Sequence, residues 1–269
     1  MNKKIKIYGS EGYVGKAVCD LLVSNYQLIK IDPSLSKTSQ TKAKKSKSDL
    51  AIICVPTPQK KDGACDISIV EEVVKECNSP LILIKSTIPP GTTKKLKKKY
   101  KERICFSPEY IGEGNYFVPY WKDYPHPTKM KYHSFQIFGG DRKDTNQLIN
   151  IFQPVMGPDC RYFQTDSTSA ELVKYTENLW LGTKVTFCNE VYRIAKVLGV
   201  DYNDLREMFI ADGRVGRMHT MVTEGNFGFG GKCLPKDINA LAKVSKKAGY
   251  IPEFVKAVLE NNDRFRKDN

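Results

Sequence analysis

A doubly wound α/β domain followed by an all-helical domain is the fold class this sequence predicts, and three observations predict it. Short β-rich runs alternate with helical segments from residue 3 to about 155. Several of these runs, such as AIICV at 51–55 and LILI at 81–84, are continuously apolar, as strands buried on both faces of a parallel sheet are. After Thr165 the pattern becomes helical.

Taken in order, the strand candidates are residues 4–8, 27–31, 50–55, 81–85, 103–106 and 134–138. Helices are predicted between several of them, at 15–23, 67–77 and 143–152. The Ser-, Lys- and Thr-rich stretch 34–48 reads as an exposed loop. Asp166 or Ser167 is placed to cap a long amphipathic helix that reaches Val197 or Leu198. Gly199 supplies its stop and Asp201 the cap of the next helix. A last helix follows Pro252. The expected domains are residues 1–164 and 165–269.

Composition narrows the function classes. With 41% hydrophobic and 27% charged residues, the 269-residue chain has an ordinary globular composition. No run approaches the ~20 apolar residues of a membrane span, and the opening KKIKIYG is strand-like, unlike a signal peptide, so a cytoplasmic protein with no membrane partner is expected. Eight cysteines are scattered without a CxxC pair, and His126, His133 and His219 form no ligand pattern. That argues against a metal or a disulfide framework. The net charge of +13 suggests anionic partners, but the lysine-rich stretches 42–47 and 94–101 read as solvated faces, and no nucleic-acid partner is expected.

The segment GFGGKCLPKD, residues 228–237, carries the clearest chemistry. Three glycines let the backbone approach a ligand, while Lys232 and Lys236 can favour the thiolate of Cys233, the nucleophilic form of cysteine. A buried, inert cysteine beside a Gly-rich turn is the competing reading. At the other end, strand 4–8 runs into a turn in which Gly12, Tyr13, Val14 and Gly15 fill the later places of a GxGxxG pattern. Ser10 stands where the first glycine belongs, with Gly9 one residue early. Asp32 closes the second strand, where a carboxylate can bind ribose hydroxyls and select NAD over NADP. Alternatively, Asp32 only starts a turn with Pro33.

The motifs GYVG (12–15), CVPTP (54–58), KSTIPPGT (85–92), SPEYIGEG (107–114), AELVKYTENLWLGTKVTFCNEV (170–191), GRVG (213–216) and GFGGKCLPKD stand in one order along the chain. In them the sequence resembles the UDP-glucose/GDP-mannose dehydrogenase family, most closely its UDP-glucose 6-dehydrogenase branch. The resemblance implies a Rossmann-like cofactor domain, a helical dimerisation and catalytic domain, and oxidation of a nucleotide-sugar C6 alcohol to a carboxylate with two NAD. By the same resemblance Cys233 captures the aldehyde, and Lys174 and Asn178 stabilise the oxyanion. Their i,i+4 spacing independently puts both on one helix face. The resemblance further makes Asp237 the residue handling the alcohol proton, Glu109 the base for thioester hydrolysis and Thr87 the hydroxyl positioning the water. Val55, Pro56, Thr57, Thr87, Glu113 and Lys236 match cofactor contacts, while Arg214, Phe229 and Gly230 match the substrate side, Arg214 across a homodimer interface.

The chain departs from the family in the displaced glycine, in a short connection between Asp32 and Leu50, and in ending at Asn269, so that the C-terminal nucleotide-binding domain is expected to be absent. The apolar residues Phe254, Val255, Val258, Leu259 and Phe265 predict a stripe that needs a cover, expected to be a second copy, the alternative being the chain's own helices. Two other functions remain open: a single-step β-hydroxyacid dehydrogenase, which has no use for Cys233, and a non-catalytic NAD-binding module.

Overall fold

The computed structural model describes residues 3–111 and 129–269, and the chain divides into two compact units. The first unit is Met1–Pro58 with Asp66–Lys174, and the second is Gln59–Cys65 with Tyr175–Asn269.

The first unit is built on strands β1 (Lys4–Tyr8), β2 (Gln27–Ile31), β3 (Leu50–Ile53), β4 (Ile82–Ile84), β5 (Ile104–Phe106), β6 (Phe135–Gly139) and β7 (Arg161–Thr165). They form one sheet in the order β2-β1-β3-β4-β5-β6-β7. The first five run parallel, and burial on both faces accounts for the apolar runs of β1, β3, β4 and β5, while β2 at the edge is only partly buried. Ile5, Ile7, Leu50, Ile52 and Leu83 pack on α1 (Tyr13–Leu22) and α5 (Arg142–Met156). Tyr8, Ala51, Ile53, Ile82 and Ile84 pack on the other face, against α3 (Ser68–Glu76) and α4 (Thr92–Tyr100). This is a Rossmann-like doubly wound sheet. Its strand order reverses between β1 and β3, and in open α/β sheets ligands bind outside the carboxyl ends of the strands at such a point.

Three local expectations need correction. The 34–48 stretch is not a loop throughout, because residues 37–45 form α2 (Lys37–Lys45). It lacks an apolar stripe, but its lysines, Gln40 and Ala43 are sound helix formers. The buried Lys6 ammonium donates to the Lys44 carbonyl at 2.9 Å, satisfying a group at the helix C-terminus. The sheet is also not wholly parallel: β6 runs antiparallel to β5 where Phe106 faces Gly139, and β7 extends it parallel to β6, a strand beyond the six expected.

In the second unit, α6 (Ser167–Val197), which starts in the first, is followed by α7 (Tyr202–Phe209), α8 (Leu234–Lys247) and α9 (Glu253–Arg266). Asp201 caps α7 as expected, accepting from the Asn203 and Asp204 amides at 2.7 and 3.2 Å. The core of this unit gathers Phe229, Ile238, Val255 and Val258, with Leu259 packed against it. The α9 stripe is therefore covered by its own chain: Phe265 is fully buried, and only Phe254 of the five is exposed. The exposed apolar line lies on α6 instead, at Val173, Trp180, Phe187 and Ile194, one residue every two turns.

Candidate active site

The Gly turn begins where β1 ends. Gly9 adopts φ +76°, and a side chain there would put its Cβ 2.6 Å from the Cys54 carbonyl, so Gly9 does the conformational work expected one residue later. Ser10 is simply buried. A Cβ at Gly15 would fall 1.9 Å from the Gly9 carbonyl, so this place too must be glycine for α1 to leave the turn so closely. Gly12 precedes α1 with no side-chain cap, leaving the first amides, those of Tyr13 and Val14, without a capping side chain at the positive end of the helix dipole.

Asp32 starts the turn after β2 and also reaches back to the Gly turn. One carboxylate oxygen accepts from the Glu11 amide of the Gly turn at 3.1 Å, and the other from the Ser34 amide and hydroxyl at 3.0 and 2.8 Å. Burial works against its charge, but these donors outweigh it and hold the carboxyl below its usual range. The donor set fits a dinucleotide: uncapped amides for a pyrophosphate, and a carboxylate beside them for ribose hydroxyls.

Further along the carboxyl edge, Val55 and Thr57 are buried and Pro56 is exposed. The Thr57 hydroxyl donates to the Thr87 carbonyl at 2.8 Å, joining the loop after β3 to the loop after β4. Glu109 follows β5, and its carboxylate accepts from the Ile111 amide at 2.8 Å. The neighbouring Tyr110 ring lies 5.1 Å from the Lys174 ammonium on α6, a cation–π contact that brings this lysine to the loop of Glu109. Glu113 lies outside the described residues.

The second unit holds a separate buried cluster. The Asp237 carboxylate is 1% exposed; one oxygen accepts from the Asn178 amide at 2.6 Å and the other pairs with the Lys236 ammonium at 2.5 Å. Lys236 is thus engaged by Asp237, and its charge is not reserved for Cys233 as the sequence suggested. A Cβ at Gly182 would stand 2.5 Å from Ile238, which measures how closely α6 and α8 pack to make the Asn178–Asp237 contact. Cys233 immediately precedes α8, with Pro235 in its first turn, a position where the helix dipole favours an anion. Of the eight cysteines it alone is exposed. Burial pushes the thiols of Cys19 up to about 11 and of Cys54 and Cys105 up to about 12, leaving them inert at neutral pH.

Phe229 is buried, and the Asn262 side chain clasps its backbone, accepting from its amide at 2.6 Å and donating to its carbonyl at 3.1 Å. That fixes the loop in which Gly230 follows. Arg214 joins neither cluster: it is exposed and forks onto Asp212, at 3.0 Å from its Nε.

Comparison with known proteins closes the assignment. Residues 25–129 match the UDP-glucose/GDP-mannose dehydrogenase family, NAD binding domain, and residues 168–264 match that family's central domain. The chain belongs to the UDP-glucose/GDP-mannose dehydrogenase family. It is 30% identical over 249 residues to a UDP-glucose 6-dehydrogenase of Bacillus subtilis, covering 88% of this chain and 51% of that one. It is 32% identical over 233 residues to a GDP-mannose 6-dehydrogenase of Pseudomonas savastanoi, covering 80% and 50%. The chain thus spans about half the length of the curated relatives it matches. A UDP-glucose dehydrogenase structure from Pyrobaculum islandicum superposes with a TM-score of 0.79 at 24% identity, over 98% of this chain and 68% of that one. As a family member the chain carries an NAD-binding domain, and NAD is its cofactor. No described helix is long and apolar enough to cross a membrane.

Sequence reasoning missed three residues at these sites: Asn262, Lys85 and Glu171. Glu171 is fully buried on α6, and its carboxylate accepts from the Gly91 and Thr93 amides at 2.5 and 2.7 Å, tying α6 to the start of α4. For Lys85 and Glu171 the available signal was a charged residue adjoining an apolar run, as in LILIK and AELV; Asn262 carries no such signal.

Proposed function

We propose that this chain is a nucleotide-sugar 6-dehydrogenase that oxidises UDP-glucose to UDP-glucuronate in two steps. Cys233 carries the reading: an exposed thiol at a helix N-terminus, one turn ahead of the buried Asp237. A single oxidation of an alcohol needs no such thiol, whereas taking an aldehyde to an acid is served by a covalent anchor. NAD, when bound, supplies the hydride acceptor for each oxidation. Gly12, Tyr13, Val14 and Gly15 would hold its pyrophosphate and Asp32 its ribose, with Val55, Pro56, Thr57, Thr87, Glu113 and Lys236 as further contacts.

In this mechanism Asp237, with Lys174 or a water, receives the alcohol proton as the C6 aldehyde forms. The Cys233 thiolate adds to that carbon, and Lys174 and Asn178, one turn apart on α6, donate to the resulting oxyanion. Oxidation of the thiohemiacetal leaves a thioester. Glu109 then takes a proton from a water oriented by Thr87; the water oxygen bonds to the acyl carbon, the C–S bond breaks, and Cys233 departs as thiolate. Phe229, Gly230 and Arg214 are assigned to the sugar nucleotide. The helical residues 165–269 would form the homodimer domain, and the exposed line of Val173, Trp180, Phe187 and Ile194 on α6 supports a second copy as its cover.

The test is NADH formation from a panel of UDP- and GDP-sugars, with the product mass determined. Two NADH per acid with UDP-glucose support the reading. Preference for GDP-mannose or an N-acetyl sugar would move the substrate, and one NADH per product would mark a single-step dehydrogenase. NAD binding without turnover would favour a non-catalytic module.

A further inference from the structure

Lys85 is 1% exposed, and among the described residues its ammonium is held without a carboxylate in contact. It stands at the carboxyl end of β4, directly after Ile84, with its own amide bonded to the Ile53 carbonyl of β3 at 2.9 Å. From there the side chain reaches toward the loop that follows the neighbouring strand β5, donating to the Ser107 hydroxyl at 3.0 Å and to the Pro108 carbonyl at 3.3 Å. Thr87 lies two residues beyond Lys85 and Glu109 two beyond Ser107. One buried cation therefore sits at the root of both loops. Burying an amine among neutral partners is expensive, and desolvation pushes its pKa down to about 8 despite the nearby Cys54 thiol and Glu109 carboxylate, which pull the other way. A methionine would fill this space with no such penalty, so stability alone does not explain a lysine here.

We propose that Lys85 is the positioning residue for thioester hydrolysis: by pinning Ser107 and Pro108 to the end of β4 it fixes where the Glu109 carboxylate stands relative to Thr87. The inference rests on the dehydrogenase reading above and deepens it. Lys85 touches no reacting atom. It acts on the second half of the reaction because the loop it holds carries the base for the water, not the groups that form the aldehyde or receive it.

The experiment compares the parent with Lys85→Met and Glu109→Gln, each mixed with NAD and UDP-glucose. Three signals are read: the NADH burst, the rate of acid release, and intact protein mass for a sugar-nucleotide adduct on Cys233. Lys85→Met should keep the burst within about threefold and slow acid release on the order of 100-fold, the size of effect seen when one preorganised catalytic group is lost. The adduct should accumulate as it does in Glu109→Gln, and the double variant should be scarcely slower than either single one. Ser107→Ala, which keeps the lysine and removes one acceptor, should accumulate adduct to a lesser extent and serves if Lys85→Met fails to fold. Acid release at the parent rate in Lys85→Met, or a fall in burst and release together with the melting temperature, would overturn the proposal. Should the parent form no NADH from any sugar nucleotide, the dehydrogenase reading falls, and hydrogen exchange of the Ile111 amide, bonded to Glu109 at 2.8 Å, still decides the positioning role. Faster exchange in Lys85→Met supports it, and unchanged protection overturns it.

Discussion

The two units bury charge in opposite ways. In the second, Asp237 is 1% exposed but touches both a counter-ion, Lys236, and a neutral donor, Asn178. In the first, Lys85 and Glu171 are buried, and among the described residues their hydrogen-bond partners are neutral: a hydroxyl and a carbonyl for the lysine, backbone amides for the glutamate. Desolvation moves both toward neutrality, Lys85 down to about 8 and Glu171 up to about 7. A buried charge paired to its counter-ion is kept as a charge and can be aimed; one held by neutral dipoles is poised to lose its charge near physiological pH. The paired cluster lies one turn from the exposed cysteine, and the unpaired groups lie at the roots of the loops carrying Thr87 and Glu109.

The largest effect should come from removing the thiol. Cys233→Ser should reduce acid formation below detection while leaving NAD affinity unchanged, as measured by product mass and by NAD titration. Cys105→Ala, with its thiol buried and its pKa pushed up, should leave turnover within about twofold of the parent, since buried structural cysteines are inert. Acid formed at the parent rate by Cys233→Ser would remove the covalent step.

The next effect breaks the pair in the second unit. Lys236→Met strands a buried carboxylate, and losing one partner of a buried pair costs about 3–5 kcal/mol. Denaturant unfolding should show that loss, and adding Asp237→Asn should recover part of it. Additive losses would mean that the 2.5 Å contact is not the source.

A smaller loss is expected on α6. Lys174→Ala and Asn178→Ala should each lower kcat by roughly 100-fold, the effect of deleting one oxyanion donor. Asn178 also holds Asp237, a contact that Lys174→Ala should leave undisturbed. A change below about threefold in kcat would take either residue out of the mechanism.

Most of the architecture was legible because burial on both sheet faces writes itself as apolar runs. Strands at Ile5, Ile52 and Leu83, the long helix from Ser167 and the Asp201 cap all follow from local pattern. What escaped was structure without an apolar signature. The helix Lys37–Lys45 is held by its ends, through Lys6, and has no stripe. On α9, periodicity announced an apolar face at Val255 and Val258 but carried no information on whether α8 or another molecule covers it. The site shows the same division. Cys233, Asn178 and Asp237 could be named from motifs, but the hydrogen bonds that buried Lys85 and Glu171 make to other strands and helices are set by tertiary contacts, which no sequence spacing encodes.

The smallest and sharpest test is the pH dependence of stability. For Glu171 the folded-state pKa is raised from 4.5 to about 7, mainly by desolvation, which the surrounding amides only partly offset. Between those values the native state holds the extra proton, so this group's contribution is fully present below pH 4.5 and is lost as pH rises through 7. Lys85 is lowered from 10.5 to about 8, so the unfolded state binds the extra proton in that window. Its penalty is therefore relieved, and stability gained, as pH rises from 8 toward 10.5. At ~1.4 kcal/mol per pKa unit each term reaches at most about 3.5 kcal/mol. The cysteine thiols raised by burial oppose Lys85 above pH 9, so the raw curve mixes them and difference curves are required. Parent minus Glu171→Gln should slope downward only between pH 4.5 and 7, and parent minus Lys85→Met should slope upward only between 8 and 10.5. Flat differences would show that burial among neutral dipoles displaces neither Lys85 nor Glu171, and the contrast drawn for the first unit would disappear.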